Sequence, residues 1–218
     1  MHLKREIDEL KKMISSLGAH VEEALMKASL SIEERDADMA RQVIEFDPQI
    51  DDMEVRVEEE CLKALALYQP VAADLRFIIA VLKVNNDLER IGDLAANTAE
   101  QGEFLADRAP IRVPYDLRGM CTRVQAMLQH SLDALMNTDA KLAREVRAAD
   151  DNVDEINRQM YQNIRLAMQK DPERIGDLIR LLKVSHNMER VADHATNIAE
   201  DVIYLVEGEI IRHTGGEE

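Results

Sequence analysis

Four pairs of acidic residues, each pair spaced four positions apart, are the part of this sequence whose residue types suggest chemistry. The pairs are Asp47 and Asp51, Glu89 and Asp93, Asp150 and Asp154, and Glu189 and Asp193. On an α-helix, residues four positions apart lie on one face, about 6 Å apart along the axis. Like charges at this spacing repel each other, so each pair costs stability unless a positive charge compensates it.

A bound cation is the positive charge that these pairs predict. Iron, manganese, magnesium, calcium and zinc all bind carboxylate oxygens. If the two helices that carry the acidic pairs of one half pack side by side, four carboxylates meet there, and bridging carboxylates allow two or more ions. We therefore interpret all eight acids as metal ligands, with Asn97, Asn197 and His194 as further candidates nearby.

The same acids also have an ordinary structural interpretation. Asp47 followed by Pro48 fits the N-cap and first position of a helix, and Asp150 fits an N-cap as well. A glutamate followed by an arginine, as at Arg90 and Arg190, is common on solvated helix surfaces, where the arginine neutralises the acid. The spacing alone leaves both interpretations open.

The charge balance of the chain excludes some classes of partner. Asp and Glu number 43 against 27 Lys and Arg, so the net charge of −16 attracts cations and repels nucleic acid. The sequence has no cluster of basic residues that would bind nucleic acid. It also has no apolar run of the roughly 18 residues that a membrane span needs and no signal-like N-terminus, so we expect a cytoplasmic protein.

The remaining reactive residue types favour no other site. Cys61 and Cys121 are far apart and are interpreted as reduced core thiols. His20, His130 and His186 lack ligand spacing to one another and are interpreted as ordinary helix residues. No nucleophile with a matching base and no glycine-rich loop is visible, so we expect a protein that is not an enzyme.

The segments that must position the acids occur twice in the sequence. Residues 82–100 match residues 182–200 at an offset of 100, and residues 36–51 match residues 139–154 at an offset of 103. All four acidic pairs fall inside these matches. A period of about a hundred residues is too long for a solenoid repeat and indicates a duplicated domain.

Apolar periodicity and helix-end signals predict only helices. In the first half, apolar residues spaced three and four apart predict a helix over about 3–31. Asp36 caps a short helix, a long helix starts at Pro48, and Tyr68-Gln69-Pro70 breaks it. The predicted helices of this half are 3–31, 37–46, 48–67 and 71–105.

The second half repeats this plan after a proline-containing linker at 107–114. Asp139 opens the short helix, Asp150 opens the next long one, and Asp171-Pro172 starts a last helix that reaches about Val206. The tail, 210–218, is expected to fray. We therefore predict an all-α fold, a tandem duplication of two antiparallel three-helix bundles, with domains at 1–108 and 109–218.

Three segments carry a family resemblance: YQPVAADLR at 68–76, NDLERIGDLA at 86–95 and NMERVADHATNIAE at 187–200. In these segments the sequence resembles the PhoU family of phosphate-uptake regulators. The resemblance runs essentially from end to end. It implies two PhoU-like three-helix bundles in a cytoplasmic protein that negatively regulates the phosphate-starvation response.

The resemblance also implies partners and a cofactor. Family members act with the ATPase of the phosphate ABC transporter, PstB, and with the sensor histidine kinase PhoR. They carry multinuclear metal clusters, with iron or zinc, on acidic pairs that match the eight acids here; manganese or magnesium is left open. Leu94 replaces the His found after the second-half motif, so the two sites can differ. We expect a homodimer, with peripheral attachment to a membrane complex left open.

Two other functions remain open from the sequence. A di-metal carboxylate enzyme or metal-storage bundle of the ferritin type would use Glu-x-x-His pairs, and no histidine of this chain has a glutamate three residues before it. A purely structural bundle that oligomerises through its apolar seams would need none of the acids. It predicts that Glu89→Ala combined with Glu189→Ala leaves function intact.

Overall fold

The protein is all-helical, as the sequence predicts. The structure, a computed structural model, describes residues 2–112 and 116–208. The described residues form six α-helices, with a short 3-10 helix, Pro172–Arg174, before the last of them. The helices are α1 (His2–Glu34), α2 (Ala37–Tyr68), α3 (Ala72–Ala106), α4 (Leu117–Asn137), α5 (Ala140–Lys170) and α6 (Ile175–Glu207). The predicted fraying of the tail lies outside the described residues.

Local sequence signals account for most helix positions. The apolar stripe predicted for the first helix is buried, with Leu10, Ile14 and Leu17 at most 1% exposed. Asp36 accepts a hydrogen bond from the backbone N–H of Met39 at the start of α2. Asp139 caps α5 in the same way. These two predicted N-caps are confirmed.

Two predicted helix starts are wrong. Asp47 and Asp150 lie in the interior of α2 and α5, which run without interruption through the expected breaks. Pro48 is exposed on α2, so the carbonyl of Ile44, which loses its N–H partner there, can turn towards water. The predicted short helices are therefore the first turns of α2 and α5, and neither aspartate is an N-cap. Asp171 also makes no side-chain cap.

The two halves meet along α3 and α6. Lys83 of α3 pairs with Asp201 of α6, whereas farther along α3 Thr98 accepts a hydrogen bond from Asn187. Because positions later in α3 meet positions earlier in α6, the two helices are antiparallel. Helix α1 packs on α4 across the same interface, α2 packs on α1 and α3, and α5 packs on α4 and α6.

The acidic pairs of the first half lie on α2 and α3, and those of the second half lie on α5 and α6. Within the described residues, α2 and α5 do not touch each other, so each acidic set belongs to its own half. The described helices include none that is both long and apolar enough to cross a bilayer.

Candidate metal centre

The contact between α2 and α3 places the acids of the first half. Ile50 and Val57 of α2 and Leu88 and Ile91 of α3 are at most 1% exposed, so these apolar residues hold the two helices together. The acids occupy neighbouring positions on the same two helices, at the edge of the apolar contact. The sequence folds this way because apolar and acidic residues alternate at helical spacing.

Gly92 lets the two helices approach closely at the acidic set. A Cβ atom at this position would lie 3.0 Å from Cγ2 of Ile50 and 3.8 Å from Oδ1 of Asp47. The absence of a side chain at Gly92 therefore allows α2 to bring Asp47 against α3. Ala192 takes the corresponding place in the second half.

Three carboxylates of the first half converge. One oxygen each from Asp51, Glu89 and Asp93 lies within 4.8 Å of the other two. Asp47 adds a buried oxygen, Oδ1, that has no hydrogen-bond partner. Carboxylate oxygens in such a group are hard ligands for a cation. An orphaned buried oxygen beside them fits the same use, since buried polar atoms normally have a partner.

The electrostatics of the first-half set reflect this crowding. Burial, with the charges of Asp51 and Asp93, raises the pKa of Asp47 to about 6 from its ordinary value of 3.8. Burial and Asp93 also raise the pKa of Glu89. The guanidinium of Arg90 lies 3.3 Å from Glu89 and 3.4 Å from Asp93, so Arg90 neutralises part of the charge, as the sequence predicts.

The second half repeats the arrangement with a looser geometry. Oδ1 of Asp150 and Oε2 of Glu189 are buried and lack a hydrogen-bond partner. Burial, followed by the charges of Asp193 and Asp154, raises the pKa of Asp150 to about 6. Burial also raises the pKa of Glu189 and of Asp193, and Asp154 adds to both. Among residues 2–112 and 116–208, however, no second trio of acidic, histidine or cysteine donors converges within 4.8 Å.

His194 and Asn197, expected as further metal ligands, and His186, expected as an ordinary helix residue, make other contacts. Nδ1 of His194 lies 2.8 Å from Oδ1 of Asp87 in the first half, and Asn197 donates to the same oxygen at 3.4 Å. His194 and Asn197 therefore contact the other half through Asp87. His186, which the sequence suggests is an ordinary surface residue, has its Nδ1 3.1 Å from Oε2 of Glu189. The i,i+3 spacing of His186 and Glu189 is the signal that could have found this contact.

The donor chemistry of both sets fits a metal ion. The structure brings Asp51, Glu89 and Asp93 of the first half together, removes the capping role of Asp47 and Asp150, and leaves buried oxygens without partners in both halves. These observations agree with metal ligation. The assignment of all eight acids as ligands stays a prediction.

A comparison with protein-family models finds the same domain in each half of the chain. The model of the PhoU domain matches twice, at residues 14–102 and 117–202. The chain belongs to the PhoU family. The two matches confirm the tandem duplication that the sequence predicts, and the exact boundary at 108 and 109 stays a prediction.

Curated PhoU relatives match over nearly the whole chain. A phosphate-specific transport system accessory protein PhoU homolog of Aquifex aeolicus is 38% identical, covering 98% of this chain and 96% of the relative. A protein of the same name from Pseudomonas aeruginosa is 37% identical, covering 96% of this chain and 87% of the relative.

Solved PhoU structures have the same fold. The crystal structure of PhoU from Pseudomonas aeruginosa superposes with a TM-score of 0.91 at 36% identity, covering 94% of this chain and 99% of that one. The phosphate transport system regulatory protein PhoU from Streptococcus pneumoniae gives a TM-score of 0.88 at 30% identity, covering 95% and 98%. The likeness therefore includes both three-helix bundles.

Proposed function

We propose that this protein is a cytoplasmic accessory protein of a phosphate-specific transport system, and that it negatively regulates the phosphate-starvation response. The observation that carries the proposal is the match of two PhoU domains along the chain, with relatives of that name covered almost end to end. The sequence shows no nucleophile with a matching general base, and this agrees with a regulatory role.

The proposal includes metal ions held by both acidic sets. Asp47, Asp51, Glu89 and Asp93 would hold them in the first half, and Asp150, Asp154, Glu189 and Asp193 in the second. Iron or zinc is proposed, with manganese or magnesium as the alternative. Bound ions would neutralise the clustered charge and tie α2 to α3 and α5 to α6, while the protein's own apolar contacts keep the acids in place.

The proposed partners are the ATPase of the phosphate ABC transporter and the sensor histidine kinase. The resemblance to PhoU proteins supports both, and a homodimer is proposed on the same basis. Light scattering of the purified full-length chain measures the oligomeric state directly. A monomer at micromolar concentration would contradict the dimer and leave the regulatory role untouched.

A phosphate-starvation reporter tests the regulatory role. Deleting the gene should raise reporter activity in phosphate-rich medium, because a negative regulator is lost, and the wild-type gene should restore repression. The variant Glu89→Ala combined with Glu189→Ala should fail to restore it. The matched control, Glu59→Ala combined with Glu145→Ala, changes exposed acids on α2 and α5 and should complement. An unchanged reporter in the deletion strain would contradict the proposal.

Removing metal should lower the thermal stability. A ligand that binds only the native state at a hundred times its dissociation constant adds about 2.7 kcal/mol to the free energy of unfolding. Thermal melts of the metal-loaded protein, with and without chelator, should therefore give different midpoints. Identical midpoints for a sample shown by elemental analysis to contain metal would rule out the stabilising role.

A further inference from the structure

A polar contact between α2 and α3 continues the row of acids in the first half. The side-chain amide of Asn85 donates to Oε1 of Glu54 at 3.0 Å and to the backbone carbonyl of Glu54 at 2.9 Å. Glu54 follows Asp51 by three positions on α2, and Asn85 precedes Glu89 by four positions on α3. Residues at these spacings share a helix face, so the contact lies one turn beyond the acidic pairs.

Asn85 is a buried amide whose oxygen is unsatisfied. The residue is 1% exposed, and within residues 2–112 and 116–208 its buried Oδ1 has no hydrogen-bond partner. Buried polar atoms normally have a partner, and an amide oxygen binds a hard cation or a water on it. Because Nδ2 of the same amide bonds to Glu54, this oxygen lies beside the acids. It points to a bound cation independently of the carboxylates.

Glu54 is close enough to the first-half acids to share their electrostatics. Burial, followed by the charges of Glu58 and Asp51, raises the pKa of Glu54. Burial is also the main cause of the raised pKa of Glu89, and Glu54 is among the acids that add to it. Glu54 lies just outside the trio that converges within 4.8 Å. Its carboxylate therefore suits the second ion of a multinuclear site.

The second half has a neutral pair at the same place. Asn157 corresponds to Glu54 at the offset of 103, and Ser185 corresponds to Asn85 at the offset of 100. The hydroxyl of Ser185 donates to Oδ1 of Asn157 at 2.9 Å, so this half keeps the contact between its helices without the charge. The duplicated fold therefore needs a polar contact here but no carboxylate. The carboxylate is present in the half whose acids converge.

We propose that Glu54 is a further ligand of the first-half metal site and that Asn85 is its positioning residue. The inference rests on the metal binding proposed above, and it makes the two sites unequal. The first half has a fifth carboxylate where the second half has an amide. Ligating carboxylates are themselves hydrogen-bonded, as Asn85 does for Glu54, and the number of ligand charges sets the affinity for a cation.

The competing explanation is that Asn85 and Glu54 only tie α2 to α3. Glu54→Gln separates the two, because a glutamine oxygen still accepts the bond from Asn85 whereas the charged ligand is lost. Glu58→Gln, which removes the same charge from an exposed position one turn along α2, is the matched control. The full-length, metal-stripped protein is titrated with manganese and with zinc in a background in which Asp154→Asn and Glu189→Gln disable the second-half site.

For a ligand, Glu54→Gln should weaken the binding of at least one ion by about tenfold or more, the lower end of the effect of residues that only support a ligand. Glu58→Gln should weaken it much less. Without metal, Glu54→Gln should melt no lower than its parent, because the hydrogen bond stays and a like charge is lost. Equal losses of affinity in the two variants would overturn the proposal, because overall charge would then explain them.

A double-mutant cycle tests whether Asn85 acts through Glu54. Asn85→Ala should weaken binding by about tenfold when Glu54 is present, and by less in the Glu54→Gln background. Equal effects in both backgrounds would overturn the positioning role.

Two failures of the experiment have different meanings. Metal binding by Glu54→Gln as tight as that of its parent would overturn this inference and leave the proposed metal function intact. A wild-type protein that binds neither manganese nor zinc would overturn the proposed metal function together with the inference.

Discussion

Asp47 is a carboxylate whose burial in the fold costs stability. It lies inside α2, where it caps nothing, and its buried Oδ1 has no partner. Burial and two neighbouring acids raise its pKa to about 6. A buried acceptor without a partner, surrounded by like charges, is tolerated where a bound cation neutralises those charges and supplies the missing partner. Asp150 is in the same situation in the second half.

Replacing Asp47 by its uncharged isostere should therefore have opposite effects with and without metal. In the metal-stripped protein at neutral pH, Asp47→Asn should raise the free energy of unfolding by about 1 kcal/mol, after allowance for solvent screening. With metal added, the variant should gain less stability than the wild type. Chemical denaturation in both states measures this. Asp52→Asn, at an exposed neighbouring position, is the control and should change neither.

The raised pKa values also predict a pH dependence of the metal-free protein. Below an ordinary pKa of 3.8, Asp47 and Asp150 are protonated in the folded and unfolded states. Above it, the unfolded chain loses these protons first, so their contribution to stability is lost as the pH rises through about 6. The variant Asp47→Asn combined with Asp150→Asn should become progressively more stable than the wild type over this range. A constant difference in melting temperature would contradict the raised values.

At the scale of elements, the approach of α2 to α3 decides whether the carboxylates meet. Gly92 permits that approach because a Cβ atom there would press on Ile50, a residue only 1% exposed. The corresponding residue of the second half, Ala192, carries a methyl group. The looser geometry of the second acidic set agrees with the extra methyl group at this position.

A pair of glycine substitutions tests the role of helix spacing. Gly92→Ala should destabilise the protein by about 1 kcal/mol, because the added methyl group meets a packed core residue, and it should weaken metal binding in the first half. Gly176→Ala, in the first turn of α6, has nothing within 4 Å of the added atom and should stabilise by about 0.5 kcal/mol through helix propensity. Equal effects of the two substitutions would show that spacing at Gly92 is unimportant.

At the scale of the whole molecule, the contact between the two halves is less symmetric than the duplicated sequence. On one side of the α3–α6 pair, Asp87 faces His194 and Asn197. The corresponding residues on the other side are Asn187 and Leu94, and Asn187 bonds to Thr98 instead. The contact at Asp87 is therefore ionisable, whereas the corresponding contact at Asn187 is neutral.

A double-mutant cycle measures the contribution of this contact. His194→Leu leaves the buried carboxylate of Asp87 with a single weak donor and should cost about 1–3 kcal/mol of unfolding free energy. Combining it with Asp87→Asn makes this side resemble the neutral one and should recover part of the loss, with a coupling energy of about 0.5–3 kcal/mol. Strictly additive effects in denaturant melts would show that the two side chains act independently.

The sequence by itself determined the helical class, the duplication and the pairing of the acids on each helix, because these depend on local periodicity and on one helix face at a time. The apolar stripe through Leu10, Ile14 and Leu17 is an example, since its spacing alone defines the buried face. The placement of each acidic pair on one helix face was also predictable, because the four-residue spacing is retained in both copies.

Only the tertiary structure decided the features that depend on packing between distant segments. Asp47 and Pro48 have the local signature of a helix start, but burial of Val43 and Ile50 on either side keeps α2 continuous. The contacts of His194 with Asp87, the approach at Gly92 and the antiparallel contact of α3 with α6 join residues far apart in the chain. Their geometry follows from the combined burial of many side chains, whose energy exceeds a local capping preference and has no local sequence signature.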